Sequence, residues 1–264
     1  MILVPVTHAG CPIVAVAGRK GGSGKTTTAI NLAGALAERG KRIALIDLDS
    51  QASLTRLLLR GDAHDVEGIG ARILAMRQGL DGLARDTTVP NVQLYPGDRA
   101  IESASLALAE NPMGSLRLRK LVRPLTGYDV IIIDTPPHLG FALNSALLAA
   151  DLAILPTDLV QQDIDALADT IDLRDELEEL GSARVMAILP NAVRNDSVDR
   201  TSLAVLKEHW GALVAPPIPL SVAIKAALNA ALPVVMYEPK SVAAQAYRTL
   251  AERLVQEIAH AAAH

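Results

Sequence analysis

The chain has 264 residues, half of them hydrophobic and a fifth charged, and its formal net charge is −4. Because this overall charge opposes nucleic-acid binding, such binding would require a local basic patch. It is long enough for one large α/β domain or two small ones, but no stretch approaches the roughly 20 uncharged apolar residues of a membrane span, and the N-terminus lacks a secretory signal pattern. The single cysteine, Cys11, excludes an internal disulfide and an iron–sulfur cage, so we expect a soluble protein of the reducing cytoplasm.

Short apolar runs alternate with helical patterns along the chain. The runs are continuously apolar, as strands buried on both faces are, which predicts an α/β fold with a doubly wound, mostly parallel β-sheet flanked by helices. We find no internal repeat or long linker, so we expect a single domain over residues 1–264. The predicted strands are residues 13–17, 42–47, 92–95, 130–134, 152–156, 185–190 and 213–215.

A glycine-rich string follows the first predicted strand. Residues 18–27 read Gly-Arg-Lys-Gly-Gly-Ser-Gly-Lys-Thr-Thr and run into an alanine-rich helical pattern at 28–38. Glycines let consecutive backbone N–H groups converge on phosphate oxygens at the positive end of the helix. Lys25 adds a mobile cation, and the Thr26 hydroxyl suits Mg²⁺. The predicted phosphate cradle consists of Gly21, Gly22, Ser23, Gly24, Lys25, Thr26 and Thr27.

The string departs from the plain P-loop expression, because Arg19 occupies the place of its first glycine. With Lys20 opening the loop, the string resembles the deviant Walker A motif of the ParA/MinD ATPases, which have the P-loop NTPase fold. In that family the extra lysine crosses a dimer interface to contact the other subunit's nucleotide. The resemblance therefore gives Lys20 a catalytic role beside Lys25, and the alternative is a solvated loop lysine.

Two acidic residues close the second predicted strand, in Ile-Asp-Leu-Asp-Ser-Gln at 46–51. Because side chains alternate along an extended segment, Asp47 and Asp49 share one side, at the strand end where open α/β sheets bind ligands. The ParA family reads Asp-x-Asp-Pro-Gln here, and the resemblance implies that Asp49 positions the attacking water. Ser50 replaces the family's proline. The alternative for Asp49 is a helix cap.

A third acidic position ends the string Tyr-Asp-Val-Ile-Ile-Ile-Asp-Thr-Pro-Pro at 128–137. Four apolar residues deliver Asp134 to the sheet edge, where a carboxylate holds the water shell of Mg²⁺ as a Walker B residue does. The two prolines stop the strand. Followed by Thr-Pro-Pro, the segment resembles the ParA/MinD pattern, and we expect Thr26 and Asp134 to organise the metal.

The middle of the chain carries most of the acidic charge. Residues 151–180 hold ten acidic side chains against Arg174. Ile164, Leu167 and Ile171 recur there at helical spacing, which predicts an amphipathic helix. We favour a solvated acidic face, and a partner-binding strip is the alternative.

Two later segments extend the resemblance over most of the chain. Ile-Leu-Pro-Asn at 188–191 ends a strand where related ATPases place an adenine-reading residue. The resemblance makes Asn191 a candidate for hydrogen bonding the base, with a turn asparagine as the alternative. The stretch at 232–251, which begins Leu-Pro-Val-Val-Met-Tyr-Glu-Pro-Lys-Ser, is similar to the C-terminal signature of ParA and Soj proteins. We expect the compact kind of ParA, without an N-terminal helix-turn-helix domain.

One family feature is missing. Compact ParA proteins usually carry Ile-Pro-Arg-Asn where this chain has Ile-Pro-Leu-Ser at 218–221, so Leu220 replaces an arginine implicated in DNA contact. Basic residues that remain in the C-terminal third, paired across a dimer, would form a non-specific surface for DNA phosphates. Scattered surface charge is the alternative. The candidates for DNA contact are Lys207, Lys225, Lys240, Arg248 and Arg253.

The resemblance implies an ATPase of plasmid or chromosome partition. Its cofactors would be ATP and Mg²⁺, and ATP would drive formation of a homodimer that binds double-stranded DNA without sequence preference and associates with the nucleoid. A ParB-type centromere-binding protein would stimulate hydrolysis and so reset the cycle.

Two other functions use the same nucleotide fold. A MinD-like or other ParA-like positioning ATPase would act on a membrane or a protein cargo. The amphipathic helix predicted at 243–262 lacks a basic, Phe- or Trp-bearing face, so we expect it to dock on the core, with no stable membrane insertion. A biosynthetic ligase similar to dethiobiotin synthetase would couple ATP turnover to a small-molecule acceptor. Lys20 and the C-terminal signature favour the partition ATPase.

Overall fold

The computed structural model describes residues 10–60, 66–75, 79–109, 113–138 and 140–262. Seven strands form one sheet in the described residues, in the order β3-β4-β2-β5-β1-β6-β7. The strands are β1 (Ile13–Val16), β2 (Ile43–Asp47), β3 (Arg85–Asp86), β4 (Val92–Tyr95), β5 (Val130–Asp134), β6 (Leu152–Thr157) and β7 (Arg184–Pro190). Every pairing is parallel except that of β3 with β4, so the prediction of a mostly parallel sheet is confirmed.

Helices cover both faces of the sheet, because successive strand residues point to opposite sides. The described residues form a buried core on each face of the sheet. In β1, Ile13 and Ala15 belong to the first core, and Val14 and Val16 belong to the second core. The helices are α1 (Lys25–Ala37), α2 (Ser53–Leu59), α3 (Ile69–Ala75), α4 (Ala100–Leu108), α5 (Arg117–Val122), α6 (Phe141–Ala149), α7 (Gln161–Glu176), α8 (Ser197–Trp210), α9 (Val222–Asn229), α10 (Val234–Tyr237) and α11 (Val242–Ala262). Helices α3 to α8 pack in the first core, and α1, α2 and α9 to α11 pack in the second.

Two details of the sheet differ from the sequence prediction. The prediction of a strand at 213–215 is wrong. A 3₁₀ turn at Gly211–Leu213 overlaps the start of this segment, and Val214 forms only an isolated bridge with Ile188. Pro216 and Pro217 follow at once, and proline has no N–H group with which to extend a ladder. The short edge strand β3 was not predicted, because its two charged residues carry no apolar pattern.

Helix α7 has the amphipathic character that its apolar spacing predicts. Leu167 is buried, and Ile164 packs against the same core. Asp169 and Asp172 are exposed, as a solvated acidic face requires. Asp163 is the exception, because only 3% of its surface is exposed.

The last helix, α11, docks on the core, as predicted, and it packs there against α1. Its inner face buries Tyr247 and Leu254 in the second core. Arg248 fixes the two helices together, because its guanidinium donates two hydrogen bonds to Glu38, at 2.7 and 2.8 Å. Among the described residues, no helix is long and apolar enough to cross a membrane.

The central strands end side by side and so bring three motifs together. Asp134 at the end of β5 pairs in register with Val16 of β1 and with Asp47 of β2. The glycine-rich loop that leads into α1 therefore begins one strand away from Asp134 and two strands away from Asp47. This carboxyl edge of a parallel sheet is the place where the fold positions a ligand.

Candidate nucleotide-binding site

The glycine-rich loop leads directly into the first turn of α1. Gly22 and Gly24 have φ angles of +83° and +90°, which glycine adopts at no steric cost. At Gly24 a Cβ atom would also collide with Nδ2 of Asn191, so the Asn191 amide would have to leave its place against the loop. Gly24 is the N-cap of α1 and supplies no side-chain hydrogen bond, which suits a helix start that binds an anion.

The Lys25 side chain curls back over this loop. Its Nζ donates a hydrogen bond to the Lys20 carbonyl at 2.7 Å, and the Ser23 hydroxyl donates to the same oxygen at 3.3 Å. Lys25 is 6% exposed, and burial lowers the pKa of its ammonium, against the opposing pull of the Asp134 and Asp49 carboxylates. A phosphate oxygen would replace a neutral carbonyl with a charged partner, which makes a stronger hydrogen bond.

Thr26 and Asp134 form the metal half of the site. The Thr26 hydroxyl donates to Oδ2 of Asp134 at 2.7 Å, and Asp134 is 1% exposed. No hydrogen-bond donor in the described part of the chain reaches the other oxygen, Oδ1. Burial, and then the charge of Asp47, raise the pKa of the Asp134 carboxyl well above its usual value. An orphaned buried oxygen beside a hydroxyl fits Mg²⁺, whose oxygen ligands and positive charge suit this pair.

The two aspartates of the second motif have different surroundings. Asp49 is partly exposed, and its Oδ1 accepts a hydrogen bond from the Gln51 N–H at 2.9 Å. Asp47 is fully buried, and its carboxylate accepts from the Asp49 N–H at 3.1 Å and from the N–H and hydroxyl of Thr55 at 2.8 and 2.7 Å. Asp47 therefore anchors the segment, and Oδ2 of Asp49 accepts no hydrogen bond from the part of the chain that the structure describes.

Lys20 has a partner within its own chain. Its ammonium forms an ion pair with Asp163 of α7, whose side chain is 2% exposed while that of Lys20 is 38% exposed. Apart from the Lys20 ammonium, no hydrogen-bond donor in the described residues reaches the Asp163 carboxylate, so Lys20 is the group that offsets its buried charge. Sequence reasoning missed this contact. The available signal was position, because Asp163 stands four residues before the buried Leu167 and so shares its helix face.

Asn191 closes the loop from the side of β7. Its Nδ2 donates to the Ser23 carbonyl at 3.0 Å, and its backbone N–H donates to Thr157 at 2.8 Å. Asn191 thus lies against the P-loop, and its contact with an adenine base stays a prediction.

The basic residues of the C-terminal third fall into two groups. Lys207 on α8, Lys225 on α9 and Lys240 before α11 are exposed. By contrast, the Arg248 guanidinium is occupied by Glu38 and the Pro239 carbonyl. Arg253 donates to the Met186 and Ala212 carbonyls. The three lysines are thus better placed for phosphates than the two arginines.

Comparison with known proteins supports the same family over nearly the whole chain. The family described as "AAA domain" matches residues 11–180. The chromosome-partitioning ATPase Soj of Thermus thermophilus is 33% identical over 94% of this chain and 97% of that protein.

Two solved structures share the fold at similar levels of identity. Cobyrinic acid a,c-diamide synthase from Mycobacterium smegmatis, with bound ADP and magnesium, is 25% identical, with a TM-score of 0.79 over 93% of this chain and 94% of that one. The septum site-determining protein MinD of Pyrococcus horikoshii, complexed with Mg-ADP, is 27% identical, with a TM-score of 0.76 over 92% and 96%. Taken with the deviant P-loop, the Asp49 motif and the Thr26–Asp134 pair, these likenesses establish that the chain belongs to the ParA/Soj family of P-loop ATPases.

Proposed function

We propose that this chain is a single-domain partition ATPase that moves a plasmid or chromosome. As a member of its family it is an ATPase, with ATP and Mg²⁺ as cofactors. We infer that ATP drives homodimer formation, that the dimer binds double-stranded DNA without sequence preference, and that a ParB-type protein stimulates hydrolysis. The observation that carries the proposal is a P-loop site complete in Lys25, Thr26 and Asp134, with the extra lysine, Lys20, partly exposed at its rim.

Within one subunit the loop N–H groups and Lys25 hold the phosphates. Lys25 exchanges its bond to the Lys20 carbonyl for a phosphate oxygen, and its buried position strengthens that charge-assisted bond. Thr26 and Asp134 hold Mg²⁺, which supplies positive charge opposite the phosphates when bound. Asn191 fixes the loop through the Ser23 carbonyl and lies beside the proposed base site.

Asp49 orients the attacking water. Its backbone N–H is held by Asp47, and its Oδ1 by the Gln51 N–H, so the second carboxylate oxygen is available to accept a hydrogen bond from water. An Asp49→Ala variant should bind ATP and dimerise but hydrolyse slowly, which traps the ATP dimer.

Lys20 completes the site of the partner subunit. To do so its ammonium leaves Asp163 and moves toward the partner's phosphates, where it stabilises negative charge that develops during hydrolysis. ATP thus favours the dimer by its higher affinity for that state.

The DNA surface consists of the exposed lysines Lys207, Lys225 and Lys240, doubled by the dimer. Because DNA contact requires the ATP dimer, we expect a cytoplasmic protein that associates with the nucleoid only in that state.

The first test of the proposal is the oligomeric state. The protein to measure is the Asp49→Ala variant, in which we expect slow turnover. Light scattering after gel filtration of this variant should show a monomer with ADP and a dimer with ATP and Mg²⁺. Lys20→Ala in the same background should return the protein to the monomer, whereas Arg19→Ala, which removes a neighbouring exposed ion pair with Asp169, should not. A monomer in every nucleotide state contradicts the proposal.

A positioning ATPase is the second candidate, and one observation favours it. Leu220, where the family's arginine is expected, is 58% exposed, and Val222, two residues later, is 85% exposed. Exposed apolar side chains suit a membrane or a protein cargo better than DNA. Flotation with anionic liposomes tests the membrane form of this candidate: ATP-dependent flotation favours it, whereas protein that stays in the bottom fraction excludes a membrane and leaves partition or a protein cargo.

A further inference from the structure

A buried hydroxyl outside the recognised motifs supports the Asp49 segment. Thr55 lies in the first turn of α2 and is 2% exposed. Its hydroxyl donates to Oδ2 of Asp47 at 2.7 Å, and its backbone N–H donates to the same oxygen at 2.8 Å. The N-cap of α2, Ala52, provides no side-chain cap, so Asp47 serves as the cap from a neighbouring strand end.

The same hydroxyl accepts a hydrogen bond from a second loop. The Gly97 N–H, in the turn after β4, donates to Oγ1 of Thr55 at 2.9 Å. A hydroxyl has one hydrogen to donate and lone pairs to accept with, and Thr55 uses both functions. A Cβ atom on Gly97 would lie 2.8 Å from the Asp49 carbonyl oxygen and 2.9 Å from Cγ of Asp47. The loop after β4 therefore packs directly on the Asp49 segment.

This network determines where Asp49 lies. The Asp49 N–H is bound by Asp47, and the Asp49 carbonyl accepts from the Ala52 N–H at 2.8 Å. Ala52 has a φ of +50°, a strained value for a residue with a side chain, so the turn depends on its surroundings to persist. Thr55 makes three hydrogen bonds in this network: its hydroxyl and its backbone N–H donate to Asp47, and its hydroxyl oxygen accepts from the Gly97 N–H.

We propose that Thr55 is a positioning residue for ATP hydrolysis: its hydroxyl joins Asp47 to the Gly97 turn and thereby holds Asp49 where it orients water. The inference rests on the proposed role of Asp49. Thr55 itself contacts neither the P-loop lysines nor Asp134 through any hydrogen bond recorded among the described residues, so its effect on turnover passes through Asp49.

The decisive variant is Thr55→Val, which keeps the shape of the side chain and removes the hydroxyl. We expect kcat to fall by about tenfold or more, with ATP affinity and ATP-driven dimerisation unchanged, since the P-loop is untouched. Thr55→Ser retains the hydroxyl and should restore most of kcat. A purely structural role would instead lower the melting temperature, ATP affinity and turnover together, and would overturn the proposal.

A second variant changes Gly97, whose N–H donates the hydrogen bond to the Thr55 hydroxyl. Gly97→Ala places a methyl group against Asp49 and Asp47 and should also lower kcat while ATP binding persists. If Thr55→Val fails to fold, this variant and Thr55→Ser still test the proposal, because normal kcat in Gly97→Ala would overturn it.

The Asp49→Ala background separates the two claims. Thr55→Val should cause no further fall in the single-turnover rate there, because residues that act as a unit are not additive. If Asp49→Ala hydrolyses ATP normally, the proposed role of Asp49 fails and the Thr55 inference fails with it. If Asp49→Ala is inactive while Thr55→Val retains wild-type kcat, only the Thr55 inference fails.

Discussion

At the scale of single residues, the site is held by buried charges that have few partners. Lys20 and Asp163 show this most clearly, because Asp163 is almost fully buried and the ammonium that offsets its charge belongs to a residue with a proposed role in the dimer. Breaking such a pair from one side leaves an uncompensated buried charge, which is more costly than removing both charges.

Lys20→Ala should therefore destabilise the monomer as well as weaken ATP-driven dimerisation. We expect a loss of about 1–2 kcal/mol, less than a fully buried pair because the lysine is partly exposed. Adding Asp163→Asn should restore stability to the Lys20→Ala protein but not its dimerisation. Urea unfolding and gel filtration of both variants check this, and restored dimerisation in the double variant would contradict the trans role of Lys20.

Asp47 makes the stability of the protein depend on pH. Burial raises its pKa to about 6, against an ordinary value near 4. The folded state thus binds this proton more tightly than the unfolded state, so the contribution is complete below about pH 4 and is lost as the pH rises through about 6. Two pKa units correspond to about 3 kcal/mol. Urea unfolding between about pH 4 and pH 7 should show wild type losing this amount relative to Asp47→Asn, and a constant difference would contradict the assignment.

At the scale of elements, the P-loop depends on two glycines for different reasons. Both have positive φ angles, but a Cβ on Gly24 would collide with Asn191, whereas a Cβ on Gly22 would meet nothing within 4 Å.

Gly24→Ala should therefore abolish ATP binding, while Gly22→Ala should weaken it only through backbone strain of about 1 kcal/mol, which is roughly fivefold in affinity. Titration with a fluorescent ATP analogue measures both. Equal losses in the two variants would show that conformation alone, without the Asn191 contact, explains the requirement for glycine.

Much of this site was predictable from short contiguous strings. Lys20, Lys25 and Thr26 lie on one loop, and Asp134 ends an apolar run, so the local pattern carries their chemistry. Thr55 and Asp163 were not predictable in this way, because each contacts a residue that is distant in the sequence. Thr55 accepts a hydrogen bond from Gly97, in the turn after β4, and Asp163 of α7 forms an ion pair with Lys20 of the P-loop. The prediction of a strand at 213–215 was wrong for a different reason: Pro216 and Pro217 follow this short apolar run in the sequence and have no N–H group with which to extend a ladder, and the run was given more weight than the prolines.

At the scale of the whole molecule, the proposed DNA binding has to occur on a chain whose formal net charge is −4. Lys225 and Lys240 are exposed, whereas Arg248 holds α11 to α1 through Glu38. We expect Lys225→Ala or Lys240→Ala to weaken DNA binding without loss of stability. Each should reduce the slope of log affinity against log salt by about 2, because a dimer loses two phosphate contacts.

Arg248→Ala is the matched control for this pair. It should lower the free energy of unfolding by about 1 kcal/mol and change the salt slope little, since its guanidinium is occupied internally. Thermal unfolding and fluorescence anisotropy on one duplex separate the two effects, and a lower salt slope without destabilisation would place Arg248 on the DNA surface instead.

The central claim is that ATP converts this chain into a form that binds DNA without regard to sequence. The most direct measurement is anisotropy of unrelated labelled duplexes titrated with the Asp49→Ala protein, with ADP or with ATP and Mg²⁺, across a salt series. We predict tight binding with ATP alone, equal for all duplexes and falling steeply as salt rises. Equal binding with ADP and ATP, or no binding to any duplex at low salt, would contradict the account.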